Sequence, residues 1–249
     1  MNEKFLIEKL QKYNNIKVSK NLSSYEQIRA LMNVTLPLNL SEEFFVKQDE
    51  YLKDLQKQKE IVDVEDILKD KQIALHLGDI TTIKADAIVN ACNSSLLGCF
   101  VLLHDCIDNA IHSAAGLQVR RDLIKELNGK EELNGQCRVT NGYNLPSTYI
   151  FHTVGPIVDG KVSEQDKEDL RNCYLSCLRK ADEMKLRNIV FCSISTGLYS
   201  FPIKEACKIA VKTVKNYLKI TNSSIKIVFD LFSKEDFLIY ERELSSENK

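Results

Sequence analysis

Apolar positions recur at helical spacing through the first 72 residues. Phe5, Leu6 and Leu10 form one such face, Tyr25, Ile28, Leu31 and Met32 a second, and Phe44, Phe45, Tyr51, Leu52 and Leu55 a third. Ser41 ahead of Glu42 and Glu43 gives the third run an oxygen cap and an acidic first turn. No glycine precedes Gly78, and Pro37 is the only earlier proline, so the turn punctuation of a β-rich chain is missing. The spacing predicts three helices in residues 1–72, an N-terminal helical extension packed on a main domain over 73–249. The extension carries neither a metal motif nor a catalytic constellation. It reads as a structural element, with a lid or a docking surface as the alternative.

After Ile73 the period changes. Short β-branched runs at Ile73–Leu77, Ala87–Val89, Tyr149–Phe151, Ile189–Phe191 and Ile225–Phe229 read as buried strands. Helix-period segments at Asp108–Leu127, Ser163–Met184 and Ile203–Leu218 separate several of them. Strands alternating with helices predict a three-layer α/β/α sandwich around a mixed, mostly parallel sheet. Ligands in such sheets bind beyond the carboxyl ends of the strands. Asp79, Asn93 and Ser195 each fall just after a predicted strand.

Composition narrows the partners. With 34 basic and 35 acidic residues and a net charge of −1, the chain has no footprint for a nucleic acid polymer. No run of about 18 apolar residues is present to span a membrane, and the N-terminus lacks the apolar core of a signal peptide. Eight cysteines in a chain of this length without an export signal read as reduced thiols of a cytoplasmic protein, some serving a metal.

The candidate chemistry centres on Cys99, His104 and Cys106, two thiols and an imidazole within eight residues. Donors of this softness at Cys-x4-His-x-Cys spacing suit one Zn²⁺ per chain. No fourth cysteine or histidine follows at short spacing, so the site reads as open to water or substrate. Further along, Ser193–Gly197 is a small-residue loop after a strand, and Pro202 opens a new helix. Exposed backbone N–H groups beside a helix start suit a diphosphate. Asp79, alone, also fits a turn or cap aspartate. Asp108 at a helix start is either an N-cap or a base for water. Cys173 and Cys177 share a helix face and read as core, whereas Cys92 remains open between core and pocket.

Gly78-Asp79-Ile80-Thr81, the run Asp86–Asn93, Ser195-Thr196-Gly197 and Phe201-Pro202 occur in an order that resembles the macrodomain family of ADP-ribose binders and hydrolases. The likeness runs from about Ile73 to about Phe232. Leu97–Cys106 stands where many macrodomain hydrolases carry a glycine-rich loop, and it is similar to the loop of a zinc-dependent bacterial branch that removes mono-ADP-ribose from proteins. The resemblance implies that Asp79 and the Ile80 amide contact adenine, and that the Ser195–Tyr199 loop (Ser195, Thr196, Gly197, Leu198, Tyr199) holds the diphosphate, with Tyr199 near the distal ribose. It places Asn93 and Asp108 beside the distal ribose and Asn90 as a brace or ligand contact. His112 and His152 fall in runs shared with zinc-free members and are expected to be structural. Ser200 stands where many members have glycine, Leu102 where this branch often has proline, and Asp105 adds a charge beside the ligands. The branch is associated with class M sirtuins and a lipoylated carrier related to glycine cleavage protein H, which becomes the implied substrate. A zinc-stapled reader of ADP-ribose and an O-acetyl-ADP-ribose deacetylase are the alternatives.

Overall fold

The computed structural model describes residues 2–246. Its core is a six-stranded sheet of β2 (Ile73–Leu77), β4 (Ala87–Cys92), β5 (Cys137–Asn141), β6 (Tyr149–Val154), β7 (Asn188–Phe191) and β8 (Lys226–Leu231), in the spatial order β2-β8-β7-β4-β6-β5. All neighbours run parallel except the edge strand β5, which pairs antiparallel with β6. Every residue of β7 is buried, as is nearly every residue of β4 and β8, which is what helices on both faces require of a parallel sheet. The chain thus forms the expected α/β sandwich.

The helices α7 (Glu164–Glu183), α8 (Ile203–Thr221) and α9 (Lys234–Ser246) pack side by side, while α5 (Ile107–Ala115) and α6 (Leu117–Leu127) pair against β4 and β5. Ser163 caps α7 in a reciprocal capping box with Asp166. The single helix expected over Asp108–Leu127 is two. Gly116 breaks it at φ 102°, and a side chain there would run into Gln48 and Gln118. The edge strand β5 and the C-terminal helix α9 fall outside the expected set, as do short elements between residues 62 and 84.

Residues 2–56 form α1 (Asn2–Asn14), α2 (Ser24–Asn33) and α3 (Glu42–Gln56), whose apolar faces make a small core of their own that meets the main domain through Leu117. Gln48 on α3 accepts a hydrogen bond from the Leu117 N–H at 3.0 Å, capping the start of α6. A further short strand, β1 (Val62–Asp63), pairs in parallel with β3 (Ile83–Lys84), and α4 (Val64–Leu68) sends Val64 and Leu68 into the core under the sheet. Among the described residues, no helix is long and apolar enough to cross a membrane.

Candidate active site and metal centre

A cavity of about 380 Å³ opens where the parallel strands end. Asp79 and Ile80 follow β2, Asn93 follows β4, Gly155 follows β6, Ser193–Tyr199 follow β7, and Phe232 follows β8. The start of α5 closes one side with Cys106, Ile107 and Asp108. The expected convergence on the carboxyl edge is therefore present.

Cys99, His104 and Cys106 come together at this cavity, their donor atoms all within 4.8 Å of one another. Cys99 Sγ lies 3.5 Å from His104 Nδ1 and 4.0 Å from Cys106 Sγ. The loop that carries them turns through three residues at positive φ, Gly98, Phe100 and Leu103. Cys106 also caps α5, with its sulfur accepting from the Asn109 N–H at 3.5 Å. That leaves the capping alternative for Asp108 without a basis. Burial pushes the Cys106 thiol up to about 12, with the Asn109 N–H opposing and the Cys99 sulfur adding. A cation there would supply the charge that a thiolate needs.

Asp108 is almost wholly buried yet lines the cavity. Burial raises its carboxyl to about 6, opposed by the hydrogen bond from Asn90 and by the Arg120 charge. Asn90 Nδ2 donates to Asp108 Oδ1 at 2.8 Å and lies 3.3 Å from His152 Nδ1. His112 Nε2 stands 3.4 Å from the same oxygen, and burial holds the His112 imidazole well below its usual range, so it sits there uncharged.

A family model described as Macro domain matches residues 89–210. A Staphylococcus aureus (strain MRSA252) protein named protein-ADP-ribose hydrolase is 47% identical over 222 residues, which cover 87% of this chain and 83% of that one. The chain belongs to the macrodomain family. A Treponema medium protein of the same name is 42% identical over 228 residues, covering 88% of this chain and 86% of its own. Among solved structures, the Trypanosoma brucei macrodomain in complex with ADP-ribose is similar at a TM-score of 0.67, with 28% identity, covering 92% of this chain and 97% of that one.

In this macrodomain the expected site residues line one cavity, with two exceptions. His104 is not among the lining residues, though its Nδ1 stands 3.5 Å from the Cys99 sulfur, and Asn90 is fully buried with its amide donating to Asp108, so Asn90 reaches the cavity only through that carboxylate. Asn93 lines the cavity but spends its amide on its own loop: Nδ2 donates to the Gly98 carbonyl at 2.9 Å, and Oδ1 accepts from the Ser95 N–H and hydroxyl. Asp79 caps the local turn, as the simpler of its two readings has it, and also lines the cavity. Its Oδ1 caps the turn at Thr81, while Oδ2 faces the cavity and pairs with Lys59 Nζ at 3.1 Å. Burial opposes its ionisation, but Thr81 and Lys59 outweigh it and hold the carboxyl below its usual range.

Ser195 and Ser200 both take positive φ, 65° and 57°, a conformation that glycine adopts more readily than serine. Cys92 is buried, yet it lines the cavity and its thiol donates to the Thr153 carbonyl at 3.3 Å, so the open choice between core and pocket resolves as both. Several cavity residues were not among those expected, Gly155, Asp230 and Phe232 among them. Gly155 packs so close that a Cβ would come within 2.0 Å of Ser195 Oγ, Asp230 bonds His76, and Phe232 is 84% exposed beside Asp79. A glycine directly after a strand is the one sequence signal that marks the first. Lys59 has no local signal, because only the fold brings it to Asp79.

Proposed function

We propose that this macrodomain is a zinc-dependent hydrolase that removes mono-ADP-ribose from modified proteins. The observation that carries the reading is the cluster of Cys99, His104 and Cys106 donors beside the buried Asp108 in one cavity. Zn²⁺ bonded tetrahedrally at about 2.3 Å to sulfur and about 2.0–2.1 Å to nitrogen separates its donors by roughly 3.6–3.8 Å. The Cys99–His104 and Cys99–Cys106 separations of 3.5 and 4.0 Å bracket that range, and all three donors lie within 4.8 Å of one another, which suits the ion. Two thiols and an imidazole leave a fourth position free of protein. The relatives named protein-ADP-ribose hydrolase support the activity.

The cavity's own groups divide the work. Phe232 offers an apolar ring and Asp79 an acceptor oxygen at one end, which suits a purine bearing an amino group. The Ser195–Tyr199 loop offers backbone N–H groups for a diphosphate. At the other end Asp108, fixed by Asn90, stands where a water attacking C1″ of the distal ribose would give up its proton. The bond from C1″ to the acceptor breaks with its electron pair leaving on the acceptor, which takes up a proton from solvent water, while the attacking water's oxygen bonds C1″ and its proton passes to Asp108. A zinc ion, held by Cys99, His104 and Cys106, would supply a Lewis acid beside this centre. Asn93 holds the loop that carries the donors. The resemblance names a lipoylated carrier of the glycine cleavage H type as the first acceptor to try.

The Cys99→Ala variant tests the reading. It is expected to lose its bound zinc and to release ADP-ribose from a modified protein at least about 100-fold more slowly, the size of effect seen when one charge-stabilising group is removed. ADP-ribose affinity is expected to survive, since the adenine and diphosphate ends are untouched. Wild-type turnover in this variant contradicts the proposal.

A further inference from the structure

The loop that presents the metal donors is braced from two sides, by its own domain, where Asn109 Nδ2 donates to the Val101 and His104 carbonyls at 3.0 and 3.2 Å, and by the N-terminal extension. Between Gly98 and Cys106 its one backbone hydrogen bond is His104 N–H to the Val101 carbonyl at 3.3 Å. Phe100 and Leu103 both sit at positive φ, 52° and 53°, a conformation that costs an L-residue on the order of 1 kcal/mol or more. Such a loop keeps its form only where its surroundings over-determine it.

Much of that determination comes from α2 of the N-terminal extension. The Asn33 side chain, 1% exposed, ends this helix and reaches into the loop. Its Oδ1 accepts from the Leu103 N–H at 3.0 Å, and its Nδ2 donates to Ser113 Oγ on α5 at 3.0 Å. Leu103 immediately precedes the ligand His104. Arg29, one turn earlier on α2, donates to the His104 carbonyl at 3.4 Å. The end of α2 is itself fixed by the buried Arg120, whose guanidinium donates to the Met32 and Asn33 carbonyls and lies 4.6 Å from the centre of the Phe100 ring.

We propose that Asn33 is a positioning residue for the metal loop, so that the extension is part of the metal centre rather than an appendage. The inference rests on the zinc reading above. Metal affinity is sensitive to the placement of each donor within a few tenths of an ångström. Removing the acceptor of the Leu103 N–H lets a strained residue relax, and His104 moves with it.

The test is a zinc dissociation constant, measured by competition with a chromophoric chelator, together with ADP-ribose affinity and thermal unfolding for each protein. Asn33→Ala, or the near-isosteric Asn33→Leu should that chain not fold, is expected to hold zinc about 10–100-fold more weakly, as loss of a group supporting a ligand commonly does. Asn33→Asp keeps the acceptor at Leu103 and can accept from Ser113, so it is expected to stay within about threefold of wild type. Ser23→Ala removes the capping box at the other end of α2, costing about 1 kcal/mol without touching the loop, and is expected to bind zinc as wild type does. Wild-type zinc affinity in the Asn33→Ala or Asn33→Leu protein overturns the proposal. So does an equal loss in Ser23→Ala, which would assign the effect to the stability of the helix alone. Failure of the wild-type protein itself to bind zinc overturns the zinc reading, and this inference with it.

Discussion

Gly155 and Ser195 show how single positions shape the cavity. The two segments approach so closely that an alanine Cβ at 155 would lie 2.0 Å from Ser195 Oγ and 2.8 Å from Ile194 Cγ2. Ser195 also sits at φ 65°, where glycine is at ease and serine is strained. Gly155→Ala is therefore expected to push the loop after β7 outward and weaken ADP-ribose binding by about tenfold or more, equivalent to about 1.4 kcal/mol. Adding Ser195→Gly removes the clashing hydroxyl and suits the backbone, so the double variant is expected to regain part of that loss by calorimetric titration. Unchanged affinity in Gly155→Ala would contradict the close packing. The grouping of Cys99, His104 and Cys106 was legible from residue type and spacing together with the family resemblance, because three soft donors fall within eight residues. Asn93 was legible as a site residue but not in its partner, since a carboxamide next to a loop can serve the ligand or the chain equally well.

Between elements, the pairing of β2 with β8 sets His76 directly opposite Asp230 in register, with Nδ1 2.6 Å from Oδ1. Burial raises the Asp230 carboxyl to about 6 from 3.8, opposed by His76, while the nearby Asp79 charge raises it further. Lys59 offsets that Asp79 charge from the extension. Since the folded value lies above the unfolded one, the stabilisation is full below about pH 4 and is lost as the pH rises through about 6, where the unfolded chain has already given up its proton. Asp230→Asn is expected to flatten this slope, shrinking the fall in unfolding free energy between pH 4 and 7 by roughly 3 kcal/mol. Parallel stability profiles for the two proteins would contradict it. β4, β6, β7 and β8 were legible because runs buried on both faces are almost continuously apolar, and the edge strand β2 because Ile73, Leu75 and Leu77 still make an apolar run. The edge strand β5 was not, because Arg138, Thr140 and Asn141 leave Cys137–Asn141 without such a run. The division of α5 from α6 turned on Gln48, 68 residues before Gly116 in sequence, docking where the helix would have continued.

At the scale of the whole molecule, the N-terminal extension has its own apolar core and still sends polar side chains to the site and to the elements that support it. Asn33 reaches the metal loop, Gln48 the start of α6, and Lys59 the carboxylate of Asp79. Their amphipathic faces were legible from periodicity. Their reach was not, because each is a single polar residue whose partner lies 20 to 70 residues away in sequence. The central claim is that the donors at one end of the cavity make this macrodomain a hydrolase. Its most direct test follows ADP-ribose release from a mono-ADP-ribosylated carrier protein by zinc-loaded, chelated and zinc-restored enzyme, with folding checked in each state. The account predicts turnover that falls about 100-fold or more on chelation and returns with zinc. Turnover indifferent to chelation, or tight ADP-ribose binding with no turnover in any state, would contradict it, and the second result would leave a protein that reads the modification without removing it.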